Sequence, residues 1–185
     1  MVNIQHTPIT DIPQSLLRTI DELWTDAFNW QPVPADEEVE ADPESRLFLV
    51  CSDGNKEVLS VAVVKPFDIR FDGVVHSVQG VLSVVSRVKK QGYGRIVMTA
   101  VKEWLIAEQQ IGIGFAKRSV SEFYSRCGYQ VERDLVERFR EEAEDGTLST
   151  HPDGEEDVIY VNDTTGLMQT ILCEPEELVY VPEFW

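Results

Sequence analysis

Cations are scarce in this sequence: 16 lysines and arginines stand against 33 aspartates and glutamates, for a formal net charge of −17. Such a field repels a nucleic-acid backbone, whose binding rests on Lys and Arg neutralising phosphates, and it suits a cationic partner such as an amine. Long apolar runs are missing too. Nothing approaches the ~18 consecutive apolar residues a membrane span requires, and the first residues, MVNIQHTPITDIPQ, carry no apolar signal core. The expectation is a soluble, unexported chain. Cysteine is limited to Cys51, Cys127 and Cys173. Without the CxxC spacing of a metal or redox site, they suit a reducing cytoplasm. His6, His76 and His151 are too dispersed for a metal cluster, so no metal is expected.

What is present is a globular composition, 43% hydrophobic and 26% charged over 185 residues, which fits one domain over 1–185 with a core of its own. The few cations are unevenly placed. Arg87, Lys89, Lys90, Arg95, Lys102, Lys117, Arg118 and Arg126 make up half of them. Charges beyond ~8 Å are largely screened in physiological salt, so an anion at this middle region feels its near cations more than the remote carboxylates.

Residues 2–6 alternate as a weak strand. From Thr10, read as an N-cap, apolar residues recur at helical spacing through Leu16, Leu17, Ile20, Leu23, Trp24, Ala27 and Phe28. Residues 29–45 are a proline-containing acidic loop. RLFLVCS and EVLSVAVVKPFDIRF are two strands, the second interrupted at Pro66. Asp72-Gly73 is a two-residue hairpin signal, and VVHSVQGVLSVVS a central strand with Gly80 marking a bulge. Ile96, Val97, Ala100, Val101, Trp104 and Leu105 form a second amphipathic helix, and IGIGFA a short buried strand. Ser119 caps a third helix, which Gly128 closes. A strand over Tyr129–Phe139, an acidic loop over 141–157, the strand DVIYVN and a less regular tail complete an α+β order.

The stretch KKQGYGR, Lys89 to Arg95, lies between the central strand and the second helix. A glycine-rich turn there presents unpaired backbone N–H groups at the positive end of a helix dipole, a cradle for a pyrophosphate. Neither GxxxxGK[ST] nor GxGxxG is present. The surrounding LSVVSRVKKQGYGRIVMTAV resembles the acetyl-CoA loop of the GNAT superfamily of N-acetyltransferases, with Gly92 and Gly94 in place and Lys89 where Arg or Gln is usual. SEFYSRCGYQV resembles that superfamily's second signature, an aromatic-Tyr pair followed by Gly and an aromatic residue. The resemblance implies a mixed, largely antiparallel central sheet flanked by helices, and acetyl-CoA as cosubstrate. It implies that backbone groups of Leu82 and Val84 pair with the pantetheine arm. The amides of Lys90, Gln91, Gly92, Tyr93, Gly94 and Arg95, beside Lys89, would then hold the pyrophosphate.

Acetyl transfer to an amine needs the amine neutral and a proton for the leaving thiolate. Tyr124 matches the tyrosine that supplies this proton in the superfamily. The strand before the loop has no carboxylate, and Gln79 stands where a related group has Glu, so His76, relayed water or the chain's C-terminus are the open candidates for the base. A further resemblance is to the aminoglycoside 2′-N-acetyltransferases, through Val78-Gln79-Gly80, Asp153-Gly154 and a final Trp. It implies that Gln79, Asp153 and the carboxylate of Trp185 line an acceptor pocket. Polyamines or lysine side chains would suit the same acids. The expected partner is therefore a small cationic amine, with a homodimer left open and neither nucleic acid nor membrane involved. A coenzyme A-binding module without turnover is the alternative, and a ligand-free dimeric scaffold the third reading.

Overall fold

The computed structural model describes residues 2–28, 43–53, 57–143, 145–151 and 155–184. The element order is β1 (Val2–Pro8), α1 (Gln14–Phe28), β2 (Arg46–Ser52), β3 (Val58–Phe71), β4 (Val74–Ser86), α2 (Tyr93–Ala107), β5 (Gly112–Lys117), α3 (Arg118–Arg126), β6 (Gln130–Glu132), β7 (Phe139–Glu142), β8 (Leu148–Thr150), β9 (Glu156–Val161), α4 (Leu167–Cys173) and β10 (Val179–Val181). The fold is α+β with a mostly antiparallel sheet, as expected. Two compact units are distinguished, Met1–Lys65 with Val81–Val101, and Pro66–Gly80 with Lys102–Trp185. Their boundaries fall inside β3, β4 and α2.

In the first unit β2 pairs antiparallel with both β1 and β3. The helical spacing of α1 places Leu17, Ile20, Leu23 and Trp24 on one stripe. That stripe is buried against Leu47, Leu49, Val61, Val63 and Val85. Burial of each such aliphatic side chain contributes about 1.5–3 kcal/mol. Thr10 is not the cap of this helix. Ile9–Asp11 is a 3-10 turn, Ile12 is extended at φ −80, ψ 128, and the Pro13 carbonyl accepts the first helical bonds from Leu16 and Leu17 at 2.8 and 3.1 Å. A residue before proline avoids the helical region, so α1 can only start after Ile12.

In the second unit the strand order is β6-β9-β5-β4-β3-β10-β7-β8. Phe67, Ile69, Phe71, Ile113, Phe139, Val158, Met168, Ile171 and Val179 form its core. Pro66 does not interrupt β3, which runs on to Phe71. It falls between the last residue paired with β2, Val64, and the first paired with β10, Arg70, where neither neighbour needs its missing N–H. Asp72 and Gly73 do form the hairpin turn, with φ of 46 and 72.

Several expectations need correction here. No strand spans 129–139: β6 ends at Glu132, Asp134 turns left-handed at φ 59, and Leu135–Arg138 is a 3-10 turn. The acidic stretch 141–157 is not one loop, because β7 and β8 make a hairpin within it and β9 begins at Glu156. Ser119 does not cap α3, which starts at Arg118 directly off β5 with no side-chain cap bond. The tail is regular. It supplies α4 and β10, and β10 lies between β3 (antiparallel) and β7 (parallel). Its short β-branched run Val179–Val181 carries too little pattern to announce a central strand.

Candidate functional site

The distal half of β4 leads into the glycine-rich turn within the first unit. Gly80 is not a bulge, since it sits in regular parallel register with Ile113 of β5. The irregularity is three residues on, at Ser83, with φ 51. The Ser83 carbonyl accepts the Trp24 indole N–H at 3.0 Å. The turn then brings Lys90 to φ 63 and Gly92 to φ 84. Gly92 is the residue from which α2 starts, its carbonyl accepting the Ile96 N–H at 3.1 Å. The amides of Tyr93, Gly94 and Arg95 accordingly have no acceptor within the helix, as at any helix start. A Cβ on Gly92 would meet nothing within 4 Å, so the backbone there is open to close approach from outside.

Lys89, Lys90, Gln91 and Arg95 are exposed around this turn. Other cations of the basic middle are engaged elsewhere. Arg87 Nε lies 3.3 Å from Glu57, Arg118 pairs with Asp134, and Arg126 pairs with Glu122. The turn thus combines first-turn amides, a left-handed glycine with open space, and three cations, which fits a pyrophosphate. Leu82 packs on the first core and Val84 is half-buried.

The second unit holds the titratable groups. Tyr124 is 9% exposed on α3, edge-on to Phe123 and Tyr129. Burial, followed by the charges of Cys127 and Glu156, pushes its pKa up to about 12. The phenol therefore stays protonated across neutral pH and has a proton to give. The helix bearing it is pinned to β9: Ser121 Oγ donates to Asp157 Oδ2 at 2.6 Å and lies 3.3 Å from the Lys117 carbonyl. Asp157 is 1% exposed, and its Oδ1, without a hydrogen bond, lies 3.4 Å from Arg118 Nε. A buried carboxylate is tolerable with such a cation beside it.

Of the residues expected in the acceptor region, His76 and Gln79 both lie on β4 but at alternate positions, so they face opposite sides of the strand. The Gln79 backbone N–H is taken by the Ile111 carbonyl at 2.9 Å. Asp153 and Trp185 lie outside the described residues. What the sequence reading missed is a pair, His151 and Glu156, with Nε2 and Oε2 3.1 Å apart and side chains only 9% and 13% exposed. The His151 ring lies against Phe115 at 5.1 Å and Phe184 at 4.7 Å. Their spacing of five residues across Pro152-Asp153-Gly154 was the available signal. It was obscured because each residue stands in an acidic stretch that reads as solvated. Among the described residues no group of His, Cys, Asp or Glu could hold a metal ion, and no helix is long and apolar enough to cross a membrane.

Comparison with known proteins bears on the same residues. No curated protein matches the chain. Among solved structures, an acyl-CoA N-acyltransferase from Pseudomonas aeruginosa is similar at a TM-score of 0.60 and 12% identity, over 87% of this chain and 99% of that one. Escherichia coli ElaA is similar at 0.59 and 14%, over 87% and 99%. A probable N-acyltransferase from Enterococcus faecalis is similar at 0.58 and 18%, over 72% of this chain and 33% of the longer one. At these identities the likeness is one of fold. Residues 9–131, which include the whole glycine-rich turn and Tyr124, match the family model of the acetyltransferase (GNAT) domain, and the chain belongs to the GNAT family of acetyltransferases.

Proposed function

We propose that the chain transfers the acetyl group of acetyl-CoA to a primary amine of a small cationic acceptor, the 2′-amino group of an aminoglycoside being the specific acceptor suggested by sequence. The observation that carries this reading is the turn at the start of α2, where Gly92, the first-turn amides and Lys89, Lys90 and Arg95 converge. In it, the amides of Lys90 to Arg95 hold the pyrophosphate, and the backbone of Leu82 and Val84 pairs with the pantetheine arm. Tyr124 donates a proton to the departing sulfur. The amine, an ammonium of pKa ~10.4 in water, must first give a proton to a base. His76 is one candidate. His151 is favoured, because Glu156 orients its ring and offsets the charge it gains. The neutral amine then attacks the acyl carbon. As the C–S bond breaks, the sulfur takes the Tyr124 proton and the amide nitrogen returns one to the phenolate. The base releases its proton to water, so one proton is produced per turnover.

The formal charge of −17 supports a cationic acceptor, and Gln79, Asp153 and Trp185 are the residues proposed to meet it. The test is thiol release from acetyl-CoA across a panel of aminoglycosides, polyamines and lysine peptides, with coenzyme A affinity measured by calorimetry. Turnover on one class identifies the acceptor. Coenzyme A binding without thiol release on any amine would replace this reading by that of a binding module, which the absence of a carboxylate on β4 favours. No coenzyme A binding would sink both.

A further inference from the structure

Ser83 holds φ 51 within a strand that is otherwise extended. For a residue other than glycine such a conformation costs about 1–3 kcal/mol and persists only where its surroundings fix it. Two side chains from other elements do so. Trp24, 4% exposed on α1, donates its indole N–H to the Ser83 carbonyl at 3.0 Å. Ser60, fully buried on β3, donates to the Val85 carbonyl at 2.7 Å and lies 2.9 Å from Ser86 Oγ. Just past the end of β4 the Arg87 N–H bonds the Leu59 carbonyl at 3.0 Å. The carbonyls on either side of Val84 therefore each accept from a side chain of another element. All of these residues belong to the first unit, with the glycine-rich turn.

We propose that Trp24 and Ser60 are positioning residues for the pantetheine arm. They hold the left-handed conformation of Ser83 and so the shape in which β4 offers the backbone of Leu82 and Val84 to the arm. The proposal rests on the acetyl-CoA reading, and its ligand is the arm alone, not the nucleotide. Neither side chain needs to touch the ligand, because each acts through a carbonyl of β4.

The arm and the nucleotide can be separated experimentally. Trp24→Phe keeps most of the buried ring and deletes the donor, and Ser60→Ala deletes one hydroxyl. Each is titrated by calorimetry with coenzyme A and, by competition, with adenosine 3′-phosphate 5′-diphosphate, which keeps the pyrophosphate and lacks the arm. Loss of one net hydrogen bond predicts a roughly two- to tenfold fall in coenzyme A affinity. Affinity for the nucleotide fragment and the KM for the amine should be unchanged, while kcat falls. Coenzyme A affinity equal to that of the parent protein, or an equal loss for both ligands, would overturn the proposal and leave the functional reading standing. Failure of the parent protein to bind coenzyme A, read before any variant, would overturn the functional reading and this proposal with it. Should Trp24→Phe fail to fold, Ser60→Ala decides alone.

Discussion

His151 Nε2 stands 3.1 Å from Glu156 Oε2, with both side chains nearly buried, and Glu156 is at the same time one of the charges that raises the pKa of Tyr124. Within the second unit Glu156 thus acts on both the His151 ring and the Tyr124 phenol. Two residues that the sequence presents as one of three dispersed histidines and one acid among many form a pair, and its acid also acts on Tyr124.

This relationship predicts that His151→Asn lowers kcat on the true amine by roughly a hundredfold, the lower end of what general base catalysis contributes. Coenzyme A affinity should be unchanged. His76→Asn should stay within about twofold of the parent. A pH series of kcat/KM for both variants provides the check. The reverse pattern would move the base to β4.

For the donor, Tyr124→Phe removes one hydroxyl and little volume, and kcat should fall at least about tenfold with coenzyme A affinity preserved. Burial holds Tyr124 above its unfolded value of ~10 at about 12. The folded state therefore binds the phenolic proton more tightly, and the stabilising contribution is complete below pH ~10 and lost as pH rises through 12. Tyr129 is raised further still by the same burial. An absorbance titration of the phenols should show these two ionising only with alkaline unfolding. Early ionisation of all five would remove Tyr124 from its buried place.

At the turn, Gly92→Glu should abolish coenzyme A binding. Its φ of 84 disfavours any side chain, and a carboxylate projecting into that open space would repel the pyrophosphate. Gly92→Ala isolates the backbone part, since its Cβ meets nothing within 4 Å, and should cost about 1–2 kcal/mol of stability. Unchanged affinity in Gly92→Glu, measured by calorimetry, would take the turn out of the site.

The local features were legible because their chemistry is local. The hairpin at Asp72-Gly73, the periodic stripe of α1 and the glycine turn before α2 each follow from adjacent residues, and each is where the sequence placed it. What failed depends on partners far along the chain. Gly80 looked like the bulge because it is the glycine of β4. The irregularity is at Ser83, with φ 51, and Trp24 from a separate helix holds its carbonyl. The tail looked irregular because Val179–Val181 is short, and it becomes a strand only between β3 and β7.

That placement of the tail has an identifiable cause, and it yields the last prediction. Arg138, at the end of the 3-10 turn before β7, reaches carbonyls in the last turn of α4 and just after it. Its Nη1 donates to Ile171 at 2.7 Å, its Nη2 to Glu174 and Glu177 at 2.6 Å each, and its Nε to Glu177 at 2.9 Å. The Ile171 and Glu174 carbonyls also accept from the backbone N–H groups of Glu174 and Glu177, at 3.4 and 3.2 Å. One planar guanidinium therefore closes the helix end and fixes the chain just before β10. Partial burial lowers the Arg138 pKa, and the nearby Glu177 and Glu176 act in the opposite direction, but the group stays charged at any pH of interest. Arg138→Ala should cost about 2–3 kcal/mol, the scale of hydrogen bonds to a charged group. It should also deprotect the amides of β10 in hydrogen exchange before those of β5. Arg138→Lys should recover less than half of the loss, because an ammonium cannot span carbonyls on three residues with one rigid fork. Full recovery by lysine would show that charge beside the helix end, and not the fork, holds β10 in the sheet.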